Sequence, residues 1–122
     1  MRISVAESLV MKALWRSSPA TADEIAAAVG PEQRWTTATV KSLLSRLLSK
    51  KAVAAAQDGR RYLYSPLLAE ADYLQEESRG LVDRLFGGRL APLVSHFAET
   101  KQLSAEDIAE LKRLIAELDD DA

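Results

Sequence analysis

Residues 35–66 constrain this chain more than any other stretch, because a helical pattern there runs straight into a hairpin pattern. Val40, Leu43, Leu44, Leu47 and Leu48 recur at i, i+3, i+4, i+7 and i+8. That spacing predicts a helix with one buried stripe, beginning near Thr36 or Thr37. The opposite face holds Ala38, Ser42, Ser45 and Ser49, with Lys41 and Arg46 at its edges. Asp58-Gly59 then reads as the two-residue turn of a hairpin, in which both positions need positive φ. Arg61-Tyr-Leu-Tyr64 favours a strand. The facing segment, Val53 to Gln57, is alanine-rich and must be held by packing.

Two further helices precede this pair. Ser4-Val-Ala-Glu7 is a capping box, and Leu9, Val10, Met11, Ala13, Leu14 and Trp15 behind it supply a broad apolar face. Ser17-Ser18-Pro19 stops that helix. Thr21-Ala-Asp-Glu24 is a second capping box, expected to open a short alanine-rich helix that Gly30-Pro31 ends after about Val29. Three helices and a hairpin are the order of a winged helix-turn-helix, whose third helix lies in the DNA major groove. Small outer residues let that helix approach base edges. Ser42 and Ser45 can donate or accept there, and Lys41 and Arg46 can reach phosphates or guanine edges. Thr36, Thr37 and Thr39 sit at the positive end of the helix dipole, placed to hold a phosphate. Arg60 and Arg61 put cations on the wing, where Asp58 has a turn role only. Lys50 and Lys51 suit phosphate contact and the helix dipole equally. Trp15 and Trp35 read as packing anchors.

The character changes at Leu67. A long helix is expected from Leu67 to Phe86, stopped by Gly87-Gly88. Leu90, Leu93, Val94 and Phe97 mark a shorter one. Ser104-Ala-Glu-Asp107 is a third cap signal, followed by Ile108, Leu111, Ile115 and Leu118 in 3-4-3 spacing, with Leu114 widening the stripe. So short a segment cannot easily bury three such faces by itself. Leu74, Leu81, Leu85, Leu93, Phe97, Ile108, Leu111, Ile115 and Leu118 are therefore expected to meet a second copy of the chain. The alternative is a bundle folded back on the first half. The tail Asp119-Asp-Asp-Ala122 is expected to fray. The expected fold is mainly α with a small β-hairpin wing: a winged-helix domain over 1–66 and a helical dimerisation domain over 67–122.

Charge follows the same division. Residues 1–66 carry ten Lys/Arg and five Asp/Glu, a net of +5, and residues 67–122 carry six and thirteen, a net of −7. The overall −2 conceals a basic half suited to nucleic acid. The absence of cysteine excludes disulfides and thiolate metal sites. His96, the sole histidine, has no cluster of ligands around it, so neither metal nor cofactor is expected. No apolar run approaches the ~18 residues of a membrane span. The charged N-terminus does not read as a signal peptide. Cytoplasmic localisation without membrane insertion is expected. Paired carboxylates in a cleft, a nucleophile–base pair and a phosphate loop are all missing, which argues against an enzyme. The rival reading is a winged helix that docks an acidic protein.

These residues resemble the BlaI/MecI penicillinase-repressor family of bacterial transcriptional regulators. The resemblance runs through Leu14-Trp15, Pro19-Ala-Thr-Ala-Asp-Glu-Ile25, Trp35-Thr-Thr-Ala-Thr-Val-Lys-Ser-Leu-Leu-Ser-Arg-Leu47 and Gly59-Arg-Arg-Tyr-Leu-Tyr-Ser-Pro66. It continues in Leu85-Phe-Gly-Gly88 and Leu103-Ser-Ala-Glu-Asp-Ile-Ala-Glu-Leu111. It implies a homodimeric repressor of a dyad-symmetric DNA operator, controlling β-lactamase or related genes, with a regulatory protease as a further partner. Antibiotic-responsive members are cut at an Asn-Phe bond, and here Ser95-His96-Phe97 stands in its place. Copper-responsive members carry a Cys-x-Cys tail, which this chain lacks.

Overall fold

The computed structural model describes residues 1–121. In chain order it contains α1 (Val5–Arg16), α2 (Ala22–Gln33), α3 (Thr37–Ser49), β1 (Val53–Asp58), β2 (Arg61–Pro66), α4 (Glu70–Phe86), α5 (Leu90–Glu99) and α6 (Ala105–Asp121). It divides into two compact units, Met1–Gln75 and Glu76–Ala122. The division between these units falls inside α4. The reason is local. Leu67 and Leu68 both donate their N–H to Ala52 O, at 2.8 and 3.1 Å, so neither is helical. Trp15 Nε1 donates to Leu68 O at 2.9 Å, and its ring meets Tyr73 at 5.5 Å. These contacts bind the start of α4 to the first unit, so the long helix begins at Glu70, three residues later than the sequence suggested.

Both N-terminal capping boxes form. Ser4 Oγ accepts from Glu7 N and Thr21 Oγ1 from Glu24 N, and each glutamate reaches back to its cap N–H. Val10, Met11 and Leu14 from α1 pack with Ile25 from α2 and with Val40, Leu43, Leu44 and Leu47 from α3 as the core of the first unit. Leu48 is a correction, being 38% exposed. At 100° per residue it lies about 90° from the middle of that stripe, beyond the edge of the packed face. A second correction concerns α2, which continues through Gly30-Pro31 to Gln33. Pro31 falls in the last turn, where one lost hydrogen bond is tolerable. The helix ends instead at Arg34, a left-handed residue (φ 57°) whose N–H donates to Gly30 O.

The strands pair antiparallel from Val53↔Pro66 to Asp58↔Arg61. The two-residue turn is therefore Gly59-Arg60, not Asp58-Gly59. Only Gly59 has positive φ (66°), as a turn with glycine in its first central position requires. An isolated bridge, Ala20↔Tyr64, adds a third short crossing that no periodicity announced.

Glu7 closes the first unit. Its side chain is 2% exposed, and Oε1 accepts from Ser4 N at 2.9 Å and from Lys50 Nζ at 2.6 Å. Burial alone pushes the carboxyl up. The Lys50 hydrogen bond, the Ser4 contacts and the Lys50 charge outweigh that and hold it below its ordinary range. In the window between the lowered value and the ordinary one, the unfolded chain binds more protons than the native chain. Stability contributed by Glu7 is thus present above the ordinary carboxylate range and lost as pH falls through the lowered value. Lys50→Met leaves a buried carboxylate without its cation and is expected to destabilise the protein by about 1–3 kcal/mol at neutral pH. Denaturant unfolding of the variant measures this. A loss below a few tenths of a kcal/mol contradicts the role assigned to the pair.

In the second unit, Gly87 and Gly88 end α4 with φ of 59° and 80°. Ser104 Oγ accepts from Asp107 N, and Asp107 Oδ2 accepts from Ser104 N, so the third cap also forms. α6 runs through Asp119 and Asp120 to Asp121, while Ala122 lies outside the described residues. Among the described residues Val82 is the sole buried apolar side chain of this unit. Leu118 is 68% exposed, Leu85 61% and Ile115 57%. Leu74, in the first unit, and Leu81, Phe97 and Ile108 are exposed too, and Leu93 and Leu111 are half-buried. Leu90, Val94 and Leu114 extend the same set of exposed large residues.

Candidate nucleic-acid interface

The candidate interface is built on α3, fixed from beneath by its four buried aliphatic residues. Ala38, Lys41, Ser42, Ser45, Arg46 and Ser49 are all exposed on its other side. Among the described residues no hydrogen bond or ion pair engages the side chains of Lys41, Ser42, Ser45 or Arg46. A ligand there meets small surfaces, two hydroxyls and two free cations on a rigid support. The burial of one stripe leaves the opposite one outward, which is why helical spacing alone placed these residues on the exposed face.

The threonines behave differently from one another. Thr36 is the N-cap, its Oγ1 accepting from Thr39 N at 3.2 Å and lying 3.2 Å from Thr39 Oγ1. Thr37 Oγ1 donates to Asp23 Oδ1 at 2.7 Å, tying α3 to the start of α2. Its hydroxyl proton is therefore already committed, and a phosphate at this end of the helix would rely on backbone N–H groups and on Thr36 and Thr39.

The wing supplies Arg60, exposed in the turn and free of partners among the described residues. Arg61 is held by Asp58, Nε and Nη2 donating to Asp58 Oδ2 at 3.2 and 3.1 Å. Asp58 thus does more than shape a turn: it orients Arg61 and offsets its charge. Lys50 is committed to Glu7 and to Arg2 O, so it is structural; Lys51, at φ 62°, stays exposed. Arg34, the left-handed residue that ends α2, is a further exposed cation that sequence reasoning did not single out, since nothing local distinguishes a left-handed arginine from a loop arginine.

Further along, the His96–Phe97 bond lies within α5, where Thr100 Oγ1 donates to the carbonyls of both residues. Among the described residues no group of three or more His, Cys, Asp or Glu is disposed to hold a metal ion.

Residues 3–117 match the family model described as penicillinase repressor. The penicillinase repressor of Bacillus licheniformis is 34% identical over 116 residues, covering 95% of this chain and 91% of its own. The methicillin resistance regulatory protein MecI of Staphylococcus aureus is 28% identical over 113 residues, covering 93% and 92%. Among solved structures, the DNA-binding domain of the repressor BlaI superposes with a TM-score of 0.54 at 33% identity, over 59% of this chain and 88% of that domain. The monomeric form of Bacillus licheniformis BlaI, in complex with the blaP half-operator, gives 0.52 at 33% identity, over 60% and 89%. MepR, a Staphylococcus aureus regulator of the multidrug efflux pump MepA, shares the fold over 95% of this chain and 77% of its own, with a TM-score of 0.53 at 24% identity.

Proposed function

The chain belongs to the penicillinase-repressor family of DNA-binding transcriptional repressors, and from that premise we propose how it binds. The first unit docks α3 in the major groove and the wing beside it. Ser42 and Ser45 lie against base edges. Lys41, Arg46, Arg60 and Arg61 contact phosphates or guanine edges, and Thr36 and Thr39, with the backbone N–H of Thr37, hold the DNA backbone at the start of the helix. The outer face of α3, small at its centre and bearing unpartnered cations, carries this reading.

Two copies join through Leu81, Leu85, Leu93, Phe97, Ile108, Leu111, Ile115 and Leu118 of the second unit, with Leu74 of the first. A unit with one buried apolar side chain among its described residues supports this, because its apolar faces need a partner surface. The homodimer then reads a dyad-symmetric operator whose half-sites lie about one helical turn, or a multiple, apart. Likeness to the Bacillus licheniformis penicillinase repressor favours genes of β-lactamase type as targets. No described helix is long and apolar enough to cross a membrane, and the cytoplasm is the proposed compartment. A regulatory protease acting at His96–Phe97 would first have to unwind α5.

Binding to the DNA upstream of its own gene, against a scrambled duplex across a salt series, tests the reading. Two protomers per site and a clear preference for the upstream duplex are expected, with the logarithm of the affinity falling linearly with the logarithm of salt concentration. Equal, weak binding to both duplexes would transfer the basic face to an acidic protein partner.

A further inference from the structure

The cations of the first unit are not all accounted for by DNA. Lys50 and Arg61 are paired, and Lys41, Arg46 and Arg60 lie on α3 and the wing. Lys12 and Arg16 lie on α1, one helical turn apart, exposed and without a partner among the described residues. They border a cleft of about 430 Å³ between α1 and α2. Leu9 and Ala13 from α1 and Ala28 and Val29 from α2 give it an apolar lining, and Glu32 and Gln33 also border it. The cleft exists because the alanine-rich α2 presents a methyl group where a longer side chain would fill the space. At Ala13, Ser17 and Ala28 it adjoins a smaller hollow of about 220 Å³.

We propose that this cleft binds an amphipathic organic monoanion, a carboxylate carried on one or two apolar rings. The volume lies within the range of small-molecule sites. Two cations against one carboxylate leave a surplus of one positive charge, which a single carboxylate complements. The alanine and valine lining receives the ring, and Glu32 and Gln33 can accept a hydrogen bond from a ring hydroxyl or amine. The site lies wholly in the first unit, and its occupancy does not depend on the DNA-binding mode above.

The probes are 1-naphthoate and its neutral counterpart 1-naphthylmethanol, titrated into the full-length protein by calorimetry and followed by thermal shift. Saturable binding of 1-naphthoate is expected, with the neutral probe at least about tenfold weaker. Lys12→Ala/Arg16→Ala should weaken 1-naphthoate by about tenfold or more. Ala28→Leu, at an exposed helical position where leucine is nearly as good a helix former as alanine, should occlude the cleft while keeping the helical circular dichroism and melting temperature of the parent. Absence of binding at millimolar 1-naphthoate overturns the proposal. So does binding that survives both variants, which would place the site elsewhere.

Discussion

Ile115→Asp is expected to convert the protein to a monomer and to lower its affinity for a full operator by about 100- to 10,000-fold. Two joined binding units engage the second half-site at high effective concentration, and a monomer forfeits that gain. Ile115 suits the test because it is 57% exposed, so a carboxylate there meets water in the isolated chain. The cost arises only when a second copy covers it, where an unpaired buried charge is poorly tolerated. Leu111 is a less clean choice: it is half-buried and lines an apolar groove with Leu93, Phe97 and Leu103, so Leu111→Asp would also disturb the unit itself. Sedimentation and binding to full and half operators read the result. Half-operator affinity should hold while full-operator affinity falls. A variant that remains dimeric moves the interface off α6.

Arg46→Ala is expected to weaken operator binding by about 1–3 kcal/mol if the guanidinium reads a base edge. Its side chain is exposed, has no partner among the described residues, and sits on a helix anchored by four buried aliphatic residues. Truncation should therefore leave folding stability nearly unchanged, which separates a binding loss from an unfolding loss. The salt series then divides two modes. A base contact relaxes specificity at one position of the site. A phosphate contact weakens every sequence alike and reduces the salt slope by about one. Unchanged affinity removes Arg46 from the interface. Lys50→Met is the contrasting case, since Lys50 is engaged with Glu7 and its loss should appear first as instability.

Much of the fold was legible because it rests on short-range physics. The three cap signals at Ser4, Thr21 and Ser104 are satisfied within one helical turn, so four consecutive residues reveal them. Helical spacing placed Val40, Leu43, Leu44 and Leu47 inside, and thereby Ser42, Ser45 and Arg46 outside. The same reasoning faltered at stripe edges and at helix ends. Leu48 is apolar yet exposed, because the width of a packed face depends on what packs against it. Pro31 looked like a stop and is not one, because a single lost hydrogen bond in a final turn costs less than the helix gains elsewhere.

Sequence alone thus determined the order of elements, the outward face of α3 and the apolar faces of the last two helices, all set by repeat spacing within a helix. Tertiary structure decided which cations are free. Lys41 and Lys50 look alike in a linear reading, yet one faces solvent and the other answers a buried carboxylate on α1. Arg60 and Arg61 are neighbours, yet the turn register leaves one free and sets the other against Asp58. Such pairings depend on where the backbone carries a partner, in Glu7's case from 43 residues away. A buried carboxylate must find a cation whatever their separation in the chain, so only the folded arrangement reveals which one it has taken.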